Sequence, residues 1–299
     1  MKIGVMLPMA ESDSEAGPGA SAASIWAEAL GFCKHAEAVG LDSVWPCDHF
    51  LSEPPEGSVE GILEGWTVVA ALATATERVE LGQLVMCVSF RDPSLLAKMA
   101  STAQAVSGGR LVLGVGAGWY DREYEMFGFP IERRVDRFEE ALGIIRPLVR
   151  GETVTCDGSY YGAEHAVLLP PPDPPIPLLV AAKGPRMLRL TARYADAWNT
   201  AWFGTPDDEL SRRMADMDAA LEAESRDPRS LRRTAGVVVR DPNHSTQQDD
   251  VGFAGSVEEL ARTIDAYEQI GFDDIILALE PMTERSLDRV AEAMQLRNR

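Results

Sequence analysis

Short runs rich in β-branched residues alternate with amphipathic stretches along almost the whole chain, each kind following the other in strict order. The runs fall at 3–7, 42–46, 79–87, 110–115, 177–182, 196–200, 234–240 and 274–279. The amphipathic stretches fall at 21–39, 62–76, 93–107, 134–149, 185–195, 206–224, 256–270 and 284–297. Eight strands, each followed by a helix, is the count of a (β/α)8 barrel, and 299 residues is within its usual size. The expectation is an α/β chain forming one TIM-barrel domain over residues 1–299.

Helix boundaries carry their own signals. Asp92-Pro93 reads as an N-cap followed by proline at the first helical position, and Gly108-Gly109 stops the same helix. Ser256 with Glu259 forms a capping box, closed at the far end by Gly271. In 134–149, Val135, Phe138, Leu142, Ile145 and Leu148 recur at three- and four-residue steps, a stripe for packing on a barrel wall. Two segments depart from the alternation and read as loop insertions. Residues 152–176 hold a hairpin from Glu152 to Tyr161, turning at Asp157-Gly158, and then a proline-rich connector. Residues 241–254 are polar and read as a mobile loop.

Composition narrows the partners. With 45% hydrophobic residues the chain has ample material for a core. A net charge of −19 is a poor match for nucleic acid, where binding depends on clustered Lys and Arg. The four cysteines (Cys33, Cys47, Cys87 and Cys156) are far apart and form no CxxC pair. That argues against a metal site or a disulfide framework and suits a reducing cytosol. The N-terminus enters a strand at Lys2-Ile3-Gly4-Val5 without the basic stretch and apolar core of a signal peptide, and no uncharged apolar run reaches membrane-spanning length. A cytoplasmic protein without a membrane partner is expected.

The segment RLVLGVGAGWYDREYEMFG, residues 110–128, raises the question of a dinucleotide fingerprint. That fingerprint needs G-x-G-x-x-G opening a helix in the first βα unit. Here the spacing is G-x-G-x-G at Gly114, Gly116 and Gly118, in the fourth unit, and 120–129 shows no helical stripe. As a barrel-strand exit, Gly116-Ala117-Gly118 instead leaves room for a flat ring or a phosphate, or forms a tight turn. Other exits concentrate aromatic and polar groups: Trp45-Pro46-Cys47-Asp48-His49-Phe50, Met86-Cys87-Val88-Ser89-Phe90-Arg91 and Trp198-Asn199-Thr200-Ala201-Trp202. Lys183-Gly184-Pro185-Arg186 opens a helix, so it reads either as an anion site or as two solvated cations beside a proline. Of the four histidines, His35, His165 and His244 look incidental; His49 alone lies at a strand exit and is the candidate for proton transfer.

Several segments together resemble the bacterial luciferase-like monooxygenase superfamily, and within it the branch that uses the deazaflavin coenzyme F420. They are GLDSVWPCDHF (40–50), residues 79–130, RVDRFEEALGIIRPL (134–148), GPRMLRLTARYADAWN (184–199) and GFDDIILALEPMTE (271–284). The resemblance implies a TIM barrel with the deazaflavin ring in its mouth. It implies a bulge in strand three with a non-proline cis peptide, here Leu84–Val85, bracing the ring. It places coenzyme contacts at Asp48, Leu84, Val85, Cys87, Ala117 and Gly118, and a phosphate-binding turn at Ala182 to Met187, including Lys183, Gly184 and Arg186. His49 matches the histidine proposed for proton transfer in an F420-dependent sugar-phosphate dehydrogenase, with Asp48 holding the coenzyme or orienting the histidine. That branch has a glutamate directly after the strand-four glycines where this chain has Trp119, which disfavours a sugar phosphate. Phe50, Trp119, Tyr120 and Trp202 then form an aromatic substrate pocket.

The implied activity is hydride transfer between C5 of the deazaflavin and an organic substrate. Two alternatives stay open: an FMN-dependent monooxygenase of the same fold that activates oxygen, and a non-catalytic F420-binding protein. The resemblance also implies a homodimer through outer helices such as 62–76 and 93–107.

Overall fold

The computed structural model describes residues 1–52, 59–243 and 251–297. Its frame is eight parallel strands: β1 (Lys2–Met6), β2 (Ser43–Trp45), β3 (Glu80–Gly82), β4 (Leu111–Gly116), β5 (Leu178–Ala181), β6 (Ala197–Phe203), β7 (Arg232–Arg240) and β8 (Asp274–Glu280). Neighbours in the chain are neighbours in the sheet. β8 returns to β1, with Lys2 paired to Asp274 and Val5 to Leu277, so the ring closes and no edge is left open. On the outside lie α1 (Ala22–Ala38), α2 (Gly65–Ala75), α3 (Pro93–Val106), α4 (Arg134–Val149), α5 (Pro185–Tyr194), α6 (Asp208–Ala223), α7 (Val257–Gln269) and α8 (Glu284–Arg297). Among the described residues no helix is long and apolar enough to cross a membrane.

A parallel strand must bury both faces, and the apolar residues divide accordingly. Outward residues such as Leu111, Leu113 and Val115 pack on the α4 stripe of Phe138, Leu142 and Ile145. Inward residues Met6, Trp45, Val112, Leu179, Ala197 and Ile276 fill the lumen. The helix-end signals act as their chemistry requires. The Asp92 carboxylate accepts the N–H groups of Ser94 and Leu95, and Ser256 and Glu259 cap each other's backbone. Gly108, Gly109 and Gly271 all adopt positive φ.

Three local expectations need correction. Strand three is not continuous over 79–87: it stops at Gly82 and resumes at Met86–Cys87, pairing there with Val115 and Gly116 of β4. The interruption contains the cis peptide Leu84–Val85, at the bond the family resemblance indicated; a second non-proline cis peptide is Ala201–Trp202. Next, residues Asp121–Phe127 form a short helix where no helix was expected. It buries two adjacent residues, Glu123 and Tyr124, so it has no stripe to read. Finally, the insertion hairpin pairs Val154–Asp157 with Gly162–Ala166, so its turn spans 158–161 and its return strand lies beyond Tyr161. Glu140 of α4 holds that turn by accepting the N–H groups of Ser159, Tyr160 and Tyr161. Of the polar segment 241–254, residues 244–250, with His244, lie outside the described residues.

Candidate active site at the barrel mouth

Active sites of this fold are built where the strands end, so the floor of the mouth matters first. Cys47, Leu84, Val85, Ala278 and Met282, all only partly buried, cover the top of the lumen cluster. The glycines of strand four explain how the interrupted strand three fits beside it. A Cβ on Gly114 would lie 2.1 Å from the Gln83 carbonyl oxygen, and one on Gly116 would lie 2.7 Å from Val85 Cγ2. Gly118 has φ +79°, and a Cβ there would meet the Tyr124 hydroxyl at 2.0 Å. The spacing thus accommodates the neighbouring strand and the short helix. Gln83 donates its amide to the Cys47 carbonyl at 3.2 Å, while its buried Oε1 has no partner among the described residues.

Asp48, at the end of β2, is 4% exposed. Its carboxylate takes both terminal nitrogens of Arg91, at 2.8 and 2.9 Å, and the Cys87 N–H at 2.8 Å. Arg91 also pairs with Glu64, the N-cap of α2. Burial opposes the guanidinium charge, but Asp48 and Glu64 outweigh it and raise Arg91 above its usual range. These bonds correct one expectation: Asp48 ties strand exits two and three together and does not orient His49.

His49 is paired with the side chain of Glu123 instead. Its Nδ1 lies 2.8 Å from Glu123 Oε2, and Glu123 Oε1 accepts the N–H groups of Phe50 at 2.5 Å and Leu51 at 3.4 Å. The imidazole keeps 28% of its surface exposed, the carboxylate 1%. Trp119 and Tyr120 flank the ring edge-on, with centroids at 5.7 and 6.2 Å. Sequence reasoning missed Glu123 because it lies 74 positions from its partner. The available signal was a pair of carboxylates, Asp121 and Glu123, within five residues of the strand-four exit.

The expected aromatic pocket is only partly assembled. Phe50 turns away from His49 into a cluster with Phe90, Phe127 and Phe129, at 4.9, 4.9 and 5.9 Å between centroids, and so is packing rather than pocket. Trp119 is 71% exposed and stacks near Tyr120, whereas Trp202 lies on β6, opposite β2 in the ring. Cys87 is buried against Tyr124, Sγ to hydroxyl 3.0 Å, and burial pushes its thiol up to about 11. A thiol so placed stays protonated near neutral pH. The Tyr124 hydroxyl donates to the Ala117 carbonyl at 3.0 Å.

The turn before α5 is mixed in character. Gly184 caps α5 without any side-chain acceptor, and a Cβ there would meet open space. Lys183 is exposed at this turn; desolvation and then the nearby Arg213 lower its amine below the usual range. Ala182 spends its N–H on Asn199 and its carbonyl on the Trp198 indole, so its backbone belongs to the barrel wall. Met187 is half-buried one turn along. Arg186 departs from the expectation: it points to α4, where Asp136 at 2.5 Å and Glu139 at 2.7 Å take its guanidinium. The anion-receptive groups here are therefore Lys183 and the free N–H groups of the helix.

Comparison with known proteins fits this geometry. The chain is 36% identical over 237 residues to a phthiodiolone/phenolphthiodiolone dimycocerosates ketoreductase of Mycobacterium kansasii, covering 72% of this chain and 63% of that protein. It is 38% identical over 173 residues to an F420-dependent glucose-6-phosphate dehydrogenase of Beutenbergia cavernae, covering 56% and 51%. The matches thus span less than two thirds of these relatives' length. Among solved structures, an F420-dependent secondary alcohol dehydrogenase in complex with an F420-acetone adduct superposes with a TM-score of 0.82 at 20% identity, over 99% of this chain and 98% of that one. The monooxygenase RslO1 of Streptomyces bottropensis superposes with a TM-score of 0.78 at 20% identity over the full length of both. At such identities these likenesses speak for the fold. The model of the Bac_luciferase family, described as luciferase-like monooxygenase, matches residues 1–241, and the chain belongs to that family.

Proposed function

We propose that this protein is an F420-dependent oxidoreductase that moves a hydride between the coenzyme and an organic substrate with an apolar body. The observation that carries this reading is a partly exposed imidazole, His49, held through Nδ1 just beyond Cys47 of the apolar floor. The F420-dependent glucose-6-phosphate dehydrogenases among the relatives support the coenzyme assignment. The residues at the mouth fit a deazaflavin. Leu84, Val85 and Cys47 would lie under a flat ring, Gln83 Oε1, without a partner among the described residues, would accept a ring N–H, and the open Gly184 turn with Lys183 would take a phosphate. When bound, the coenzyme supplies the hydride at C5. The protein's part is then to exclude water with Trp119 and Tyr120 and to move a proton at His49 Nε2. Trp119 in place of a second acid leaves His49 as the proposed proton-transfer group, and makes a sugar phosphate the poorer substrate class. The homodimer is proposed through α2 and α3, where Leu95 and Val106 stand 55% and 49% exposed.

The test is a titration of the purified chain with F420 and, separately, with FMN, followed by fluorescence and calorimetry. Saturable F420 binding with much weaker FMN binding is expected. Tight FMN binding with weak F420 binding would move the protein to oxygen activation. Turnover of reduced F420 with simple ketones should fall about 10²-fold or more in His49→Ala with coenzyme binding kept; F420 binding with no turnover by any substrate would leave a carrier.

A further inference from the structure

The partner of His49 Nδ1 is a buried carboxylate, and what it does to the proton on the ring follows from its surroundings. Glu123 lies on the short helix Asp121–Phe127 with its side chain 1% exposed. Among the described residues, Oε1 accepts the Phe50 and Leu51 N–H groups, and Oε2 faces the His49 Nδ1, which donates or accepts according to its tautomer. A carboxylate surrounded in this way accepts, so the hydrogen of the 2.8 Å contact belongs to His49 Nδ1. The nearer carboxylate in sequence, Asp48, does not compete, because Arg91 and the Cys87 N–H occupy it.

The helix that carries Glu123 is itself anchored. Tyr124, the next residue, reaches the Ala117 carbonyl and the Cys87 thiol, which fixes the helix against strand exits three and four. Glu123 reaches from it to exit two. The carboxylate is therefore held by one pair of strands and acts on the side chain of another.

We propose that Glu123 is the positioning residue for His49: it holds the ring in the Nδ1–H tautomer and leaves Nε2 as the nitrogen that exchanges a proton with substrate. The inference rests on the reading of His49 as the proton-transfer group. A purely structural role, pinning the 49–51 loop through the two N–H groups, makes a different prediction for one variant. Glu123→Gln keeps an oxygen for Phe50 but presents an amide N–H₂ to the imidazole. The loop stays pinned while the sense of the His49 hydrogen bond inverts.

The experiment is nitrogen NMR of the full-length chain labelled with ¹⁵N-histidine, at alkaline pH, where the two ring nitrogens report protonated or bare states. His49 is assigned by its disappearance in His49→Ala. The wild type is expected to show Nδ1 protonated and Nε2 bare, and E123Q the reverse. With reduced F420 and simple ketones, E123Q should lose about 10²-fold or more in kcat with little change in KM. If E123Q keeps the wild-type tautomer, Glu123 does not position the ring and the inference is wrong, whatever the turnover. If the tautomer inverts but H49A turns over like the wild type, the proton-transfer reading fails instead, and the catalytic use of the pair fails with it. Should E123Q not fold, the wild-type spectrum decides alone, since a bare Nδ1 there overturns the assignment.

Discussion

Arg91 is the residue on which most of the site's rigidity converges. Its guanidinium joins Asp48 after β2 and the Glu64 cap of α2, from a position just beyond the resumed strand three. Its side chain is 11% exposed and that of Asp48 not at all, so the pair is not screened as a surface pair would be. Removing one member leaves a buried charge without its partner. Arg91→Met is expected to lower stability by about 3–5 kcal/mol in urea unfolding; a loss below about 1 kcal/mol would mean that the pair behaves like an exposed one. At this scale the sequence was informative where function sits in one short segment. His49 stood out because it alone among the histidines follows a strand. Glu123 and Arg91 did not, because their roles exist only once strands two, three and four lie side by side. Arg186 misled for a related reason: its neighbours Asp136 and Glu139 come from a helix about 50 positions away.

Among the elements, long periodic ones were legible and short aperiodic ones were not. α4 spans 134–149 as its stripe requires, because seven of its residues face the core and the pattern repeats over four turns. The break in strand three was hidden from the residue pattern, since Leu84, Val85 and Met86 are as apolar as any strand interior, and only the family resemblance indicated a bulge there. The short helix Asp121–Phe127 was hidden because one of its two buried residues is a carboxylate. The outer helices carry the proposed dimer. On α3, Leu95 and Val106 face outward while Leu96 and Ala103 pack inward, so charge can be added on the outer face without touching the core. Leu95→Glu with Val106→Glu is expected to shift the mass measured by light scattering from dimer to monomer and leave the melting of the barrel in place. A wild-type mass equal to one chain would remove the dimer altogether.

For the whole molecule, the end opposite the mouth is closed by charge rather than by apolar side chains. Glu80 takes Lys2 at 2.6 Å and Arg232 at 2.9 Å, and Asp196 takes Arg146 at 2.5 Å and Arg150 at 3.0 Å. Burial alone would raise both carboxyls, but these cations and the Leu178 N–H outweigh it and lower them. A carboxyl lowered in the native state adds stability above its unfolded value, and that stability is lost as pH falls through the native one. Asp274 has the opposite sign, since burial raises it despite Arg232. At this end two lowered groups stand against one, and elsewhere Glu37 and Glu64 are lowered as well against a raised Asp13, so the unfolding free energy is expected to hold from neutral pH down to about pH 4 and then to fall. Thermal melts across that range check it; a midpoint that rises on acidification would show that Asp274 and the relief of the −19 net charge dominate.

The fit between strands three and four also sets where this barrel is free to vary. With Gly114 and Gly116 already touching their neighbour, larger residues on strand four would push the floor out of shape before they narrowed the opening. Trp119, 71% exposed, is bound by no such constraint, whereas the Trp202 ring, 39% exposed, packs against Gly236, where a Cβ would lie 2.6 Å from it. Changes in substrate range, whether by natural drift or by directed evolution, should therefore accumulate at Trp119 first, while the strand-four glycines stay fixed and Trp202 changes only together with Gly236.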